Sequence, residues 1–274
     1  MTTSTKPLRL INPALKQSVD FLINLAVSMR SVLTILFFLL LNLCNAQRIA
    51  DTTINVPMVS LHFSGQLPFG DLGDRFGSNL AVGGSFLFKA QKTWILGAEG
   101  SYFFGRNVKE NVSIHMKNSD GFIVDNDGYP ADLRITERGF NAFIVVGKLF
   151  PKLGHNPNSG FITTFGFGYL QHKIKLYDAN QKIAAVNGDI AKGYDRLSGG
   201  FAMNQFLGYL FLSSNRLVNF EAGFEFYQAF TKSYRGYNYD TGLPDTKNRM
   251  DYLVGFRIGW TLPLYKRTID FYYN

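Results

Sequence analysis

Cysteine is almost absent from this chain: Cys44 is the only one in 274 residues, so no disulfide can form within one molecule. Charged residues are also scarce, at 18% of the sequence. Beyond residue 47 no run of about 18 apolar residues occurs, which excludes a membrane-spanning helix in that part. The four histidines are widely spaced and form no HExxH or His-x-His motif. The sequence therefore predicts no metal site and no cofactor.

Aromatic residues and glycine are what the chain has in excess. It contains 26 Phe, 14 Tyr and 27 Gly. Aromatic side chains are enriched in strands, and so much glycine disfavours long helices. The expected fold class is therefore all-β.

A short apolar segment near the N-terminus, residues 29–46, has the parts of a secretory signal peptide. Basic Arg30 precedes an apolar core of about ten residues, and a small-x-small end follows at Cys44, Asn45 and Ala46. Such a core is too short for the roughly 20 apolar residues of a membrane-spanning helix, so we expect cleavage after Ala46 and export. Acylation of Cys44 is the alternative, and the large Leu43 before it disfavours that reading.

The segment ahead of the signal peptide, residues 1–28, fits no part of such a peptide. We interpret it as an extension ahead of a true initiator at Met29. Removing residues 1–46 takes four basic residues and one acidic residue from a formal net charge of +8, which leaves +5. A modest positive charge on an exported protein favours an anionic envelope surface over nucleic acid as a partner, and a charge with no partner is the open alternative.

Eight segments of the mature chain alternate with a period of two over about ten residues, the length that a tilted strand needs to cross a membrane. They are residues 56–64, 78–88, 93–104, 139–150, 160–173, 199–212, 217–228 and 250–262. Short turns follow the second, fourth and sixth segments. Long loops follow the first, third, fifth and seventh, at about 65–77, 105–138, 174–198 and 229–249. This sorting of connections by length is typical of outer-membrane barrels, whose long loops lie outside the cell.

One face of these segments carries aromatic rings and the other carries small or charged residues. The ring face holds Trp94, Tyr102, Phe104, Phe161, Phe165, Phe167, Tyr169, Phe220, Phe224, Phe226, Tyr252, Phe256 and Trp260, and the other holds Gly97, Glu99, Ser101, Thr164, Gly166, Gly168, Glu221, Gly223, Glu225, Gly255, Arg257 and Gly259. An eight-stranded interior is only just wide enough for side chains to fill, so the rings would overfill it. We therefore predict an all-β, eight-stranded antiparallel up-and-down transmembrane β-barrel over residues 47–274, with its rings toward lipid. Rings near the strand ends would form interfacial girdles: Trp94, Phe103, Phe104, Tyr169, Tyr252 and Trp260.

On this architecture, rather than on a diagnostic motif, the chain from about residue 54 onward resembles the small eight-stranded outer-membrane β-barrels of the OmpA/OmpX/OmpW type. The tail "TIDFYYN" is similar to the aromatic end of such barrels, although Asn274 stands last. The resemblance implies a location in the cell outer membrane. It also implies contact with outer-membrane lipids and lipopolysaccharide, and envelope proteins as possible partners.

Glu221 and Glu225 lie on the polar face of one segment. Four residues of a strand separate their backbones by about 13 Å, whereas glycosidase carboxylates lie roughly 5–9.5 Å apart. A catalytic pair is therefore disfavoured. Glu99 and Arg257 are also expected to point inward, and a buried carboxylate must be paired to stay charged. We predict a structural lumen network of Glu99, Glu221, Glu225 and Arg257.

The last long loop contains "KSYRGYNYDTG", residues 232–242, which interleaves basic and aromatic side chains. Such a composition is found where saccharides, lipid headgroups or partner proteins are contacted. The expected contact residues are Lys232, Tyr234, Arg235, Tyr237 and Tyr239.

These features favour a non-enzymatic outer-membrane barrel with a filled polar lumen. It would act through its long extracellular loops in surface interaction, in envelope organisation or as an accessory subunit of an outer-membrane assembly. One alternative is a lipid-modifying enzyme with His172, at the outer end of the fifth segment, as base. The other is a small channel.

Overall fold

The computed structural model describes residues 55–90, 93–154, 156–178, 182–183, 186–213 and 218–264. The predicted signal peptide, the extension ahead of it and the C-terminal tail from residue 265 lie outside the described residues, so those interpretations stay predictions.

Eight antiparallel strands close into a barrel. The barrel strands are β1 (Val56–Gly70), β2 (Asn79–Lys89), β3 (Trp94–Gly105), β4 (Leu133–Phe150), β5 (Gly160–Asp178), β6 (Ser198–Phe211), β7 (Phe220–Ser233) and β10 (Asn248–Pro263). Apart from the closing pair of β1 and β10, each barrel strand pairs with the next one along the chain, so the barrel is up-and-down. The predicted fold class is confirmed.

The connections add a few short elements. They are the helix α1 (Asp71–Arg75), the 3₁₀ turns Ile114–Met116, Pro151–Leu153 and Ile190–Gly193, and a small hairpin of β8 (Tyr237–Asn238) and β9 (Leu243–Pro244). Within the described ranges, every helix is too short or too polar to cross a membrane. The long connections are 71–78, 106–132, 179–197 and 234–247, and they all leave the same end of the barrel. We call this the loop end and the opposite end the turn end.

Several strands continue further toward the loop end than their alternation predicted. β1 ends at Gly70 instead of 64, β4 begins at Leu133 instead of 139, and β5 ends at Asp178 instead of 173. On β4 and β5 the outward positions of the extension turn polar, so the apolar period fades while backbone pairing continues. The β1 extension keeps the outward apolar residues Leu67 and Phe69. The long loops are correspondingly shorter than predicted.

The register of the ladders fixes the dimensions of the barrel. Walking once around the paired positions leads from Ser60 through Ser85, Glu99, Phe143, Gly168, Ala202, Ala229 and Asp251 to Gly70. The walk thus advances ten residues along β1, which is the shear number. With standard strand spacings, eight strands and this shear give a tilt of about 40° and a radius of about 8 Å. One layer of side chains from each wall fills such an interior.

The outer surface carries the apolar belt that the alternation predicted. Trp94, Phe224 and Phe256 are 53%, 66% and 46% exposed. On β3 the outward positions from Trp94 to Phe104 span about 25 Å along the barrel axis at this tilt, the height of a membrane band. Phe103 is the exception among the predicted girdle rings. It is fully buried, because it lies one residue from each of two outward rings and so points into the lumen.

The lumen is filled in layers, and only part of it is polar. Its turn end is packed mainly by apolar side chains, with Lys89 also buried there and donating to Asn158 over 2.9 Å. The apolar side chains are Val56, Met58, Leu87, Ile95, Leu149, Ile162 and Leu210. The predicted polar lumen is therefore too simple, because apolar side chains fill a water-free interior without leaving polar groups unsatisfied. Polar networks occupy the middle and the loop end.

Candidate functional site

Arg257 on β10 is the centre of the polar network in mid-lumen. Its Nη1 donates a hydrogen bond of 3.0 Å to Oε2 of Glu99 on β3, and its Nε lies 3.7 Å from Oε2 of Glu225 on β7. The guanidinium carbon stands 3.9 Å from the ring centroid of Phe206 on β6. One arginine therefore ties four walls of the barrel together.

Neutral donors complete the hydrogen bonding of two of the carboxylates. Asn204 Nδ2 donates to Oε1 of Glu99 over 2.7 Å. Gln66 Nε2 donates to Oε1 of Glu225 over 2.7 Å, and the Tyr227 hydroxyl donates to its Oε2 over 3.0 Å. Buried carboxylates are held by such a set of partners. Asn204, Gln66 and Tyr227 are not among the network residues predicted from the sequence.

Glu221 lies beside this network and interacts electrostatically with Arg257, but it is joined to it less directly than Glu99 and Glu225 are. It is buried, yet within the described part of the chain it forms no ion pair and no hydrogen bond. Arg257 pairs with Gly223, midway between Glu221 and Glu225, and its guanidinium makes its close contacts with Glu225 and Glu99. Glu221 instead packs against Gly259, where an added Cβ would stand 2.8 Å from its Cγ.

His172, the base of the predicted enzyme alternative, is fully buried inside the barrel. Its Nε2 lies 3.0 Å from Oδ2 of Asp251, and the Thr231 hydroxyl donates to the same oxygen over 2.5 Å. Phe76 covers the imidazole edge-on at 5.7 Å. A lipid on the outer surface does not reach this side chain, because His172 faces the lumen and not the rim.

The four long loops are joined above the barrel by a chain of ion pairs. Arg75 Nε at the end of α1 donates to Oε2 of Glu110 in the second loop over 2.9 Å. Nε of Arg196 in the third loop lies 3.0 Å from the other oxygen of Glu110, and its Nη2 donates to Asp240 in the fourth loop over 2.6 Å. We call Arg75, Glu110, Arg196 and Asp240 the loop clamp. No sequence spacing reveals it, because each member comes from a different loop.

The helix α1 is anchored by its first residue. The carboxylate of Asp71 accepts hydrogen bonds from Lys247 Nζ over 2.5 Å and from the backbone N–H of Met250 over 2.9 Å. These bonds lower the pKa of the Asp71 carboxyl, the one from Lys247 most. They connect the first loop to the base of the fourth.

The predicted contact residues of the fourth loop divide into exposed and structural ones. Tyr234, Tyr237 and Tyr239 are 46%, 45% and 53% exposed, and Lys232 is exposed at the end of β7. Arg235 instead holds Asp195 through two hydrogen bonds of 2.9 and 2.6 Å, which raise the pKa of its guanidinium.

The hairpin that presents these tyrosines is well defined. Gly236, just before β8, and Gly242, just before β9, adopt φ angles of 70° and 65°, a conformation that favours glycine. The Asp245 N–H donates to the Gly236 carbonyl over 2.9 Å. Tyr239 packs edge-on against Tyr194 of the third loop at 5.7 Å. These contacts hold the hairpin and its exposed tyrosine rings in a defined position.

Across the described ranges, no group of three or more His, Cys, Asp or Glu side chains could hold a metal ion. The charged side chains described above form ion pairs that fill the lumen and hold the loops together.

A closed barrel of eight antiparallel strands, with an apolar outer belt, short turns at one end and long loops at the other, is the architecture of outer-membrane barrels. The chain is a small transmembrane β-barrel of this class and is located in the outer membrane.

No protein-family model and no curated protein matches the chain. Among solved structures it is similar to Neisserial surface protein A, at 9% identity and a TM-score of 0.37, over 74% of this chain and 96% of that chain. It is similar to OprG from Pseudomonas aeruginosa at 12% identity and a TM-score of 0.36, over 79% of this chain and 99% of that chain. It is also similar to the N-terminal barrel domain of OprF from Pseudomonas aeruginosa, at 11% identity and a TM-score of 0.34, over 76% of this chain and 100% of that chain. At these scores the class rests on the geometry of this barrel itself.

Proposed function

We propose that the protein is a non-enzymatic docking barrel of the cell surface, whose joined loops bind a protein partner of the envelope. The observation that carries the proposal is the loop clamp, which fastens all four long loops into one platform over a filled lumen. A surface that is ordered before binding loses less conformational entropy when a partner docks.

The filling of the lumen favours docking over transport. Apolar side chains pack the turn end, the Arg257 network crosses the middle, and Phe76 and Arg75 are buried at the loop end. A solute would have to displace three successive layers. The small radius of the barrel leaves little space for that.

The exposed side chains of the platform have the composition of a protein-binding surface. Tyr237 and Tyr239 form an exposed pair with ring centroids 6.2 Å apart, and Leu243 beside them is 62% exposed. Tyrosine gives a large contact area for few rotatable bonds and is enriched at interfaces. We therefore place the centre of the docking surface on the β8–β9 hairpin.

Pull-down from detergent-solubilised outer membranes tests this function. The variant Tyr237→Ala/Tyr239→Ala is compared with Phe122→Ala/Tyr129→Ala, which removes two rings of greater exposure from the second loop. We expect wild type and the second variant to recover one common protein and the first variant to lose it. Heat-modifiable migration on unboiled gels checks that each barrel is folded. Equal recovery by all three proteins, or none by wild type, contradicts the proposal.

A further inference from the structure

A cluster of three basic side chains lies on the outer wall of the barrel, below the loops. Arg138 on β4 pairs directly with Lys173 on β5, and Lys175 follows two residues later on the same face of β5. The guanidinium carbon of Arg138 lies 5.7 Å from the ring centroid of outward-facing Phe104. We call Arg138, Lys173 and Lys175 the wall cluster.

The wall cluster lacks acidic partners. Among the described residues, no carboxylate lies within 4.0 Å of its charged nitrogens, although ion pairs are frequent in the loops just above. Glu137 and His172, the neighbours of Arg138 and Lys173 in the chain, are buried on the lumen side of the wall. Like charges placed directly opposite each other on a sheet are destabilising. An anion from outside the chain would relieve this repulsion.

The height of the cluster on the barrel identifies the source of that anion. Tyr102 pairs with Phe140, and the Phe140 ring lies 5.8 Å from the ring of Tyr169, so these three form an aromatic girdle. Arg138 lies two residues above Phe140, about 5 Å along the axis at the tilt of these strands. Aromatic girdles mark the boundary between the hydrocarbon and the headgroups. The wall cluster is therefore level with the phosphates of the outer leaflet.

A pocket of about 260 Å³ joins the two levels. It is open to the outside and is lined by the wall cluster together with Tyr102, Phe140 and Gln171. A lipid whose phosphate contacts the bases would lay the start of its acyl chains over the two rings.

We propose that the wall cluster binds the phosphate of an outer-leaflet glycolipid of the lipid A type. Arg138 offers a planar fork to two phosphate oxygens, and Lys173 and Lys175 donate as compact point charges. The site is on the wall and not on the platform, so it functions whether or not the loops bind a protein.

Native mass spectrometry of the purified protein in detergent micelles with added bis-phosphorylated lipid A tests the site. The variant Arg138→Gln/Lys173→Gln/Lys175→Gln is compared with Lys117→Gln/Lys148→Gln/Lys152→Gln, which removes the same charge from exposed positions elsewhere. We expect the first to lower the apparent affinity at least about tenfold and the second to leave it unchanged. Equal affinity of the first variant and wild type overturns the proposal.

Two further arms define the ligand. Lipid A with its phosphates removed should bind wild type as weakly as the intact lipid binds the first variant, and equal binding of both lipids by wild type overturns the proposal. Inorganic phosphate should fail to displace the lipid if the rings contribute. Displacement by phosphate alone would show that a free anion, and not a lipid, is the ligand.

The sign of a stability change separates a binding site from a structural one. In lipid-free detergent Arg138→Gln should raise the thermal midpoint of the barrel, because it removes the repulsion from Lys173. With lipid A present, the thermal midpoint of wild type should instead be higher than that of Arg138→Gln. A destabilised Arg138→Gln under both conditions contradicts a phosphate site at this wall.

Discussion

At the scale of single residues, we expect Arg257 in the lumen to be costly to replace. Arg257→Met leaves the buried carboxylates of Glu99 and Glu225 without their cation. Removing one partner of a buried pair costs about 3–5 kcal/mol. We expect the urea midpoint in detergent micelles to fall accordingly. Lys148→Met, which removes an outward-facing base near the turn end, should leave it unchanged, and equal midpoints for both variants would contradict the central role of Arg257.

The alternation of the sequence predicted the inward direction of these side chains but not their contacts. Period two decides which face a residue occupies, and by the same rule Phe103 belonged inside. It does not give the register between strands, which brings Gly223 opposite Arg257 and so places Arg257 midway between Glu221 and Glu225. Gln66 and Asn204 were missed because a polar residue on an inward face has no further signature.

At the scale of elements, β7 has one face in lipid and one in the lumen, and Phe224 tests this directly. Phe224 is 66% exposed and packs edge-on against Phe256 at 5.4 Å near the middle of the belt. Phe224→Arg should cost about 2–4 kcal/mol of unfolding free energy in lipid vesicles, whereas Phe230→Arg at the loop end of the same strand should cost only about 0–1 kcal/mol. Equal costs would mean that the belt is not embedded.

The docking of α1 should depend on pH through Asp71. Its hydrogen bonds lower the pKa of the carboxyl, so their stabilisation is complete above the ordinary Asp pKa and is lost as the pH falls through the lowered value. A dye on Asp74→Cys should therefore lose fluorescence anisotropy only in acid. In an Asp71→Asn background the anisotropy should be low throughout. Loss of anisotropy as the pH rises would show the opposite linkage.

Element boundaries show why the sequence predicted the barrel better than its loop end. Eight segments were recognisable because the belt needs an apolar residue at every second position. Above the belt, β4 and β5 continue as a backbone ladder whose outward residues include Thr136 and Lys175. Backbone pairing does not require apolar side chains at alternate positions, so the sequence predicted these residues to be loop.

At the scale of the whole molecule, the loop clamp should hold the four loops as one unit, with Glu110 at its centre. Glu110→Gln weakens the pairs to both Arg75 and Arg196. We expect faster trypsin cleavage in the loops while the unboiled barrel migrates unchanged. Asp189→Asn breaks only the exposed pair with Lys192 and is the matched control. If Glu110→Gln were as resistant as the control, the loops would be held by their separate packing instead.

Because the lumen is filled by side chains, we expect the barrel not to conduct ions. Ten residues of shear over eight strands give a radius of about 8 Å, and side chains from facing walls meet across it, as Arg257 on β10 meets Glu99 on β3. Purified protein in planar bilayers should therefore give no single-channel steps. Resolved steps in wild type would mean that these layers move aside together. The Arg257 network would then be a gate, and the channel would replace the docking barrel as the function of this molecule.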